Sequence, residues 1–344
     1  SMSTDTIRIG MVGAGANTRL RHVPGFRAND GVELVGVVNR SRESSERAAA
    51  EFGIPRAYDS WQDLVADDQI DAVMIGTWPN MHCEVTCAAL EAGKHVMTEA
   101  RMARTASEAR QMLAASQARP ELITQIVPSP FAFFCTDYVR GLIDDGFLGN
   151  LRELVVIGAN DQFQDVQAPL HWRQDREISG FNVLAMGILH EATLRWTPDP
   201  TRVFAQVETF GPERPDGPAT IPDSVQAVTE IEGGARGLYH LSGIALFGPG
   251  FHLHLYGSEG TIKVDLGNDT LEIGRAGDES LHEPEIPADQ QGDWRVEDEF
   301  IGAIRGTESI RLTDFATGVK YMEFTEAVAR SAESGQAVDL PLAD

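Results

Sequence analysis

Short apolar runs alternate with alanine-rich, amphipathic stretches along the first third of the chain. Ile7–Val12, Val32–Val38, residues 72–77, His95–Thr98 and residues 123–127 are apolar segments of strand length. Runs of this kind suit strands covered on both faces. Between them, the stretch through Pro24 and Phe26 and residues 43–52, 85–92 and 107–117 carry helical patterning, with Gly93 placed to stop the third of these helices. Strands alternating with helices predict an α/β domain built on a parallel, doubly wound sheet. Further along, Leu151–Ala159, residues 202–208, Ser224–Ile231, Arg236–Ser242 and residues 252–256 and 261–264 read as strands. Gly233-Gly234 between two of them is a hairpin signal. Residues 314–331 read as a long closing helix.

With 344 residues the chain is long enough for two domains, each with its own core. No apolar run approaches the ~20 residues of a membrane span. Residues 1–6 lack the basic start and apolar stretch of a secretory leader. The formal charge is −24, from 52 acidic against 28 basic residues. That balance argues against nucleic-acid and anionic-membrane partners, which need a basic footprint, and favours a solubility role. An anionic cofactor would need local positive potential from helix N-termini and single arginines. Three cysteines, Cys83, Cys87 and Cys135, fit a reduced cytoplasm better than a disulfide scaffold. Cys83 and Cys87 share a helix face, yet nothing nearby completes a zinc-like set, so no metal is expected.

The first strand runs into Gly13-Ala14-Gly15-Ala16-Asn17-Thr18. Between a strand and a helix, this pattern marks a dinucleotide-binding loop. Gly13 permits the tight turn, and Gly15 lets the backbone approach a pyrophosphate. The first residues of the following helix, Ala16, Asn17 and Thr18, offer N–H groups and a positive dipole end. Thr18 stands where a third glycine normally allows close helix–strand packing, so looser packing is expected there. The second strand ends in Asn39-Arg40-Ser41 rather than in the acid that binds the ribose hydroxyls of NAD(H). An arginine and a hydroxyl suit a 2′-phosphate, which favours NADP(H), with NAD(H) as the alternative. A solvated loop charge is the other reading of Arg40.

Several segments together resemble the Gfo/Idh/MocA oxidoreductases over nearly the whole chain. They are Gly13-Ala14-Gly15, Thr77-Trp78-Pro79-Asn80-Met81-His82, Ala88 through Val96, Gly146 through Leu151, and Trp172-Arg173 followed by Ser179-Gly180. The resemblance implies an N-terminal Rossmann domain, residues 1–127, and a C-terminal α+β domain, residues 128–344, with a large, mostly antiparallel open sheet for substrate binding and oligomerisation. It also implies cofactor contacts from Thr77, Trp78, His82, Glu99, Trp172 and Arg173, a small-molecule substrate, and a homodimer or homotetramer assembled through the sheet face.

The family's catalytic positions are altered. Its Glu-Lys-Pro segment is Glu99-Ala100-Arg101, and its Asp-x-Gly-x-His segment is Ala185-Met186-Gly187-Ile188-Leu189. Leu194-Arg195-Trp196 anchors that second register. Neither alanine nor leucine can move a proton, so His190, Glu191 and Arg101 become the candidate catalytic residues. A one-residue shift turns a helical side chain by ~100°; His190 therefore serves the pocket only if the helix rotates, and is otherwise a structural histidine. Glu191 lies four before Arg195, the spacing of a helix-face ion pair. Arg101 cannot serve as a base but suits a carboxylate or a developing oxyanion, and a cleft-facing position is expected for it. His82 and His95 have structural readings. His252 and His254 share a strand face without a third ligand and read as packing groups.

Two readings follow. One is an NADP(H)- or NAD(H)-dependent oxidoreductase acting on a sugar, polyol or related carbonyl compound with a rearranged acid/base set. The other is a non-redox lyase, isomerase or hydrolase, or a ligand-sensing pseudo-enzyme, on the same cofactor-binding scaffold.

Overall fold

A computed structural model describes residues 5–343 of the protein. The chain divides into two compact units: residues up to Pro128 joined by Arg295–Val319, and Ser129–Trp294 joined by the segment from Lys320 onward.

The first unit is built on β1 (Ile7–Val12), α1 (Val23–Arg27), β2 (Val32–Val38), α2 (Arg42–Phe52), β3 (Arg56–Ala57), α3 (Trp61–Ala66), β4 (Ala72–Ile75), α4 (Pro79–Glu91), β5 (His95–Thr98), α5 (Ala106–Gln117) and β6 (Thr124–Ile126). The strands pair in parallel in the order β3-β2-β1-β4-β5-β6. The order reverses at β1, which lies between β2 and β4. The crevice beyond the carboxyl ends of β1 and β4 is where such sheets take ligands. Ile9, Met11, Val73, Met74 and Ile75 are fully buried, as both-face coverage requires. Helix starts follow local chemistry: Ser41, Ser60 and Thr105 each accept a backbone N–H of the helix they open. Helix α4 begins six residues before its expected start because Pro79, already set to a helical φ, occupies its first turn.

The second unit holds α6 (Thr136–Asp144), β7 (Leu151–Ala159), α7 (Arg176–Ser179), α8 (Met186–Leu194), β8 (Pro200–Glu208), β9 (Glu213–Arg214), β10 (Gly217–Pro218), β11 (Ser224–Ile231), β12 (Arg236–Ser242), β13 (Gly250–Gly257), β14 (Gly260–Asp265) and β15 (Thr270–Arg275). Helix α9 (Val296–Ile304) then belongs to the first unit, α10 (Phe315–Ser334) crosses the division, and β16 (Val338–Asp339) ends the chain in the second. The large sheet runs β15-β14-β13-β7-β12-β11-β8-β16 and is antiparallel except between β7 and β12. Gly233 and Gly234, both at positive φ, close the β11–β12 hairpin. Alternation sets the two faces apart. Val203, Ala205, Val225, Ala227, Tyr239 and Leu241 point into the core, whereas Phe204, Val228 and Leu238 stay 38–50 % exposed on the other face. No helix among the described residues is long and apolar enough to cross a membrane.

Candidate functional site

The loop after β1 and the turn after β4 interlock through two glycines. Gly13 has φ +83°, and a Cβ there would lie 2.9 Å from the backbone of Gly76 and Thr77. A Cβ on Gly76 would lie 2.6 Å from the Gly13 carbonyl oxygen and 2.8 Å from Thr18 Oγ1. Thr18 is buried, and its hydroxyl has no hydrogen-bond partner among the described residues. The looser packing expected at Thr18 is therefore replaced by a different solution: the side chain fits because its neighbour Gly76, in the turn after β4, has none.

Gly15 behaves differently. It is exposed, and a Cβ there would meet only the Gly76 oxygen, at an ordinary 3.5 Å. Nothing in the protein's own packing demands a glycine at this position. The open cradle over Gly15, beside the first N–H groups of the helix that starts at Ala16, fits the close approach of a dinucleotide's pyrophosphate. That helix opens with a π-helical turn at Thr18–His22 before continuing as α1.

The end of β2 divides its three residues between support and recognition. Asn39 is committed internally: its Oδ1 accepts the Ala14 N–H at 2.9 Å, and its amide donates to Ser44 Oγ at 3.1 Å. Ser41 caps α2 by accepting the Ser44 N–H at 3.1 Å. Arg40 is exposed, with its guanidinium carbon 3.7 Å from the centroid of the Trp78 ring. The exposed guanidinium thus lies as a planar cation on an indole face. His82 is fully buried. Its two ring nitrogens face the Thr77 and Arg101 carbonyls at 3.0 and 2.8 Å, tying the turn after β4 to the segment after β5. Burial lowers its pKa, and the neutral ring, with a single N–H, donates to only one of the two carbonyls.

Arg101 does not face open solvent. It is 7 % exposed, against the cleft-facing position expected for a bulky cation. Glu99, just before it, is part of a chain of acid, imidazole and acid. His22 Nε2 lies 2.5 Å from Glu99 Oε1, and His22 Nδ1 lies 2.9 Å from Glu297 Oε1 on α9. Asn17 Nδ2, from the dinucleotide loop, donates to the same Glu99 oxygen at 3.1 Å. His22 is fully buried and the Glu99 side chain is 16 % exposed. Burial pulls the imidazole toward neutrality. The hydrogen bonds to Glu297 and Glu99 outweigh that pull and raise its pKa to about 9. Neither His22 nor Glu297 is marked by a motif in the sequence. A histidine inside the first helix was the available hint, but Glu297 lies 275 positions away with no local motif to announce it.

The remaining candidates lie in the second unit. His190 on α8 is 2 % exposed, with Nδ1 2.7 Å from the Tyr239 hydroxyl and its ring stacked on Phe324 at 3.9 Å. Burial pushes its pKa down to about 3. The expectation that it could replace a catalytic histidine is corrected by this placement: a neutral ring packed among aromatics is a core group. Glu191 and Arg195 form a buried pair at 2.6 Å. Glu191 also accepts the Ser129 N–H at 3.3 Å, and Arg195 donates to the Ser129 and Phe131 carbonyls. Arg173 is exposed and stacks over Trp172 at 4.5 Å, on a short turn capped by His171. Nothing among the described residues groups three or more His, Cys, Asp or Glu as a metal site. His252 and His254 instead bond the Pro249 carbonyl and the Tyr256 hydroxyl.

Comparison with known proteins agrees with this architecture in both units. Residues 7–125 match a family described as "Oxidoreductase family, NAD-binding Rossmann fold", and residues 136–263 match the "GFO/IDH/MocA C-terminal domain". The chain is 29% identical to 1,5-anhydro-D-fructose reductase of Ensifer adhaerens, over 97% of this chain and 98% of that protein. It is 25% identical to levoglucosan dehydrogenase of Pseudarthrobacter phenanthrenivorans, over 58% of this chain and 56% of that one. Two solved structures share the fold at a TM-score of 0.88. An oxidoreductase domain protein from Kribbella flavida is 24% identical over 98% of this chain and all of that one. A levoglucosan dehydrogenase in complex with NADH and levoglucosan is 22% identical, again over 98% of this chain and all of that one.

Proposed function

The chain belongs to the Gfo/Idh/MocA family of NAD(P)-dependent oxidoreductases, and from that premise we propose that it interconverts a carbonyl and a hydroxyl on a small cyclic sugar derivative, with a preference for NADP(H). The observation that carries the reading is the cradle over Gly15, empty of any side chain the fold requires, beside a stacked Arg40 at the end of β2. Gly15, Ala16 and Asn17 would hold the pyrophosphate, with Gly13 and Thr18 shaping the turn. A 2′-phosphate would be held by Arg40 and the Ser41-capped start of α2, where the helix dipole would add to the arginine's charge. Asn39 acts through Ala14 by holding the loop, and Trp78 acts by holding Arg40 flat. Thr77 and His82 fix the turn after β4. The dinucleotide supplies the hydride.

A sugar-type substrate is supported by the full-length likeness to a 1,5-anhydro-D-fructose reductase. Glu99 is the acid/base candidate, because Ala100, Ala185 and Leu189 cannot carry a proton and His190 is packed away. Glu191 is read as a buried brace for Arg195, Arg101 as a positioning group through its carbonyl to His82, and Trp172 and Arg173 as a stacked surface turn of the second unit. The exposed apolar face of the large sheet supports a homodimer or homotetramer.

A panel of anhydro-sugars, ketoses and keto-inositols, 1,5-anhydro-D-fructose among them, tests the proposal by NADPH consumption. Turnover on at least one cyclic keto-sugar is expected, with a lower KM for NADPH than for NADH. Conversion of a panel member with no change in the nicotinamide would overturn it in favour of a lyase or isomerase.

A further inference from the structure

The family's lysine has been lost at Ala100, so a proton must come from somewhere else in this chain. We propose that His22 is the positioning and proton-holding residue for Glu99, fixed from behind by Glu297, and that the two together replace the missing lysine. The inference rests on the oxidoreductase reading above.

The geometry is that of a relay whose far end is anchored. Glu99 Oε1 is engaged twice, by His22 Nε2 at 2.5 Å and by Asn17 Nδ2 at 3.1 Å. This orients the carboxylate and leaves its Oε2 with no hydrogen bond among the described residues. His22 is wholly enclosed, so its proton can leave only along its hydrogen bonds. Glu297, itself 2 % exposed, holds Nδ1 and so selects Nε2 as the nitrogen that serves Glu99. The charged groups facing the imidazole are Glu99 from the end of β5 and Glu297 from α9. Phe26 of α1 lies beside the ring at 6.4 Å, and His82 lies within electrostatic reach of Glu99. Asn17 belongs to the dinucleotide loop, so the same hydrogen bonds tie the acid to the bound cofactor's platform.

Reduction of a carbonyl adds a hydride to carbon and a proton to oxygen. The proton held on His22 Nε2 passes to Glu99 and from the Glu99 carboxyl to the substrate oxygen. A neutral His22 and an ionised Glu99 remain, and solvent returns one proton through the part-exposed carboxyl. Oxidation of the alcohol runs the same path in reverse. Reduction then requires the pair to be protonated, so its rate falls as pH rises through the pair's titration.

The test uses the full chain and two readouts. Nitrogen NMR of the histidine rings from about pH 6 to about pH 10 follows wild type and Glu297→Gln, with and without NADPH. In parallel, kcat and KM for the reducing direction are profiled for wild type, His22→Gln and Glu297→Gln. Expected are an imidazolium at His22 that persists past neutrality, titrates at lower pH in Glu297→Gln and responds to NADPH. His22→Gln should lose about 10²-fold in kcat, keep its KM for NADPH and lose the alkaline limb, while Glu297→Gln moves that limb to lower pH. A His22 that is neutral at pH 7, or a His22→Gln enzyme with wild-type kcat and limb, overturns the proposal. Should His22→Gln fail to fold, an unmoved limb in Glu297→Gln overturns it equally. If wild type reduces no panel carbonyl, it is the substrate reading that has failed. The ring spectra then decide alone: an imidazolium that responds to NADPH supports the relay, and a neutral ring overturns it.

Discussion

Gly13 and Gly15 stand two residues apart in one loop, yet different forces require them. At Gly13 the demand is internal: positive φ and a backbone contact at 2.9 Å leave no room for a Cβ. Gly13→Ala should destabilise the unit by roughly 1–3 kcal/mol in chemical denaturation. At Gly15 the demand is external. Gly15→Ala should leave stability within about 0.5 kcal/mol and weaken NADPH binding by about tenfold or more. Equal losses of stability in the two variants would contradict that division. His22 adds a pH dependence of its own. Its pKa is raised from 6.5 to about 9, so its stabilising contribution is complete below the unfolded value and lost as pH climbs through 9. Linkage puts that contribution at about 3 kcal/mol. Denaturation midpoints of wild type should fall between about pH 6.5 and pH 9.5, and His22→Gln should show a flatter profile over the same range.

Helix α8 shows how an element can be visible in the sequence while its role is not. Its register placed His190 one position beyond the family's histidine, and its apolar neighbours gave no clue to which way the ring would turn. Tyr239 lies 49 positions away and Phe324 is farther still, so the enclosure of the ring comes from tertiary contacts alone. The Glu191–Arg195 pair could be read, because i,i+4 spacing is local. Its burial could not, and burial sets its cost. Arg195→Met should destabilise by about 3–5 kcal/mol, since it strands Glu191 in the core, whereas an exposed pair such as Arg47–Glu43 should be nearly silent. The same contrast runs through the strands. Ile7–Val12, His95–Thr98, Ser224–Ile231 and Arg236–Ser242 stand out because burial on one or both faces writes itself as a continuous or alternating apolar pattern. Trp61–Ala66, Thr136–Asp144 and Val296–Ile304 are not legible in the sequence, being short helices whose apolar positions answer to partners distant in sequence. Helix α9 is one of these, and it carries Glu297 to His22.

For the molecule as a whole, a charge of −24 and an apolar sheet face pull in opposite directions. Mutual repulsion keeps copies apart unless a surface offers enough apolar area to hold them together. The depression of about 690 Å³ on β7, β8, β11 and β12 includes Val155, Phe204, Val228 and Leu238, with Arg202 and Glu230 at hand as opposite charges. Light scattering should find a dimer or tetramer, and Val228→Lys with Leu238→Lys should shift it toward monomer without unfolding it. A wild type that runs as a monomer at all concentrations would contradict this assignment. The negative field also makes cofactor binding depend on a few local cations, which concentrates the account on Arg40. Calorimetric titration of NADPH and NADH into wild type and Arg40→Asp is the most direct measurement. Wild type should bind both and take NADPH tighter by about tenfold or more, and Arg40→Asp should lose or reverse the preference. A wild type that binds neither dinucleotide would contradict it.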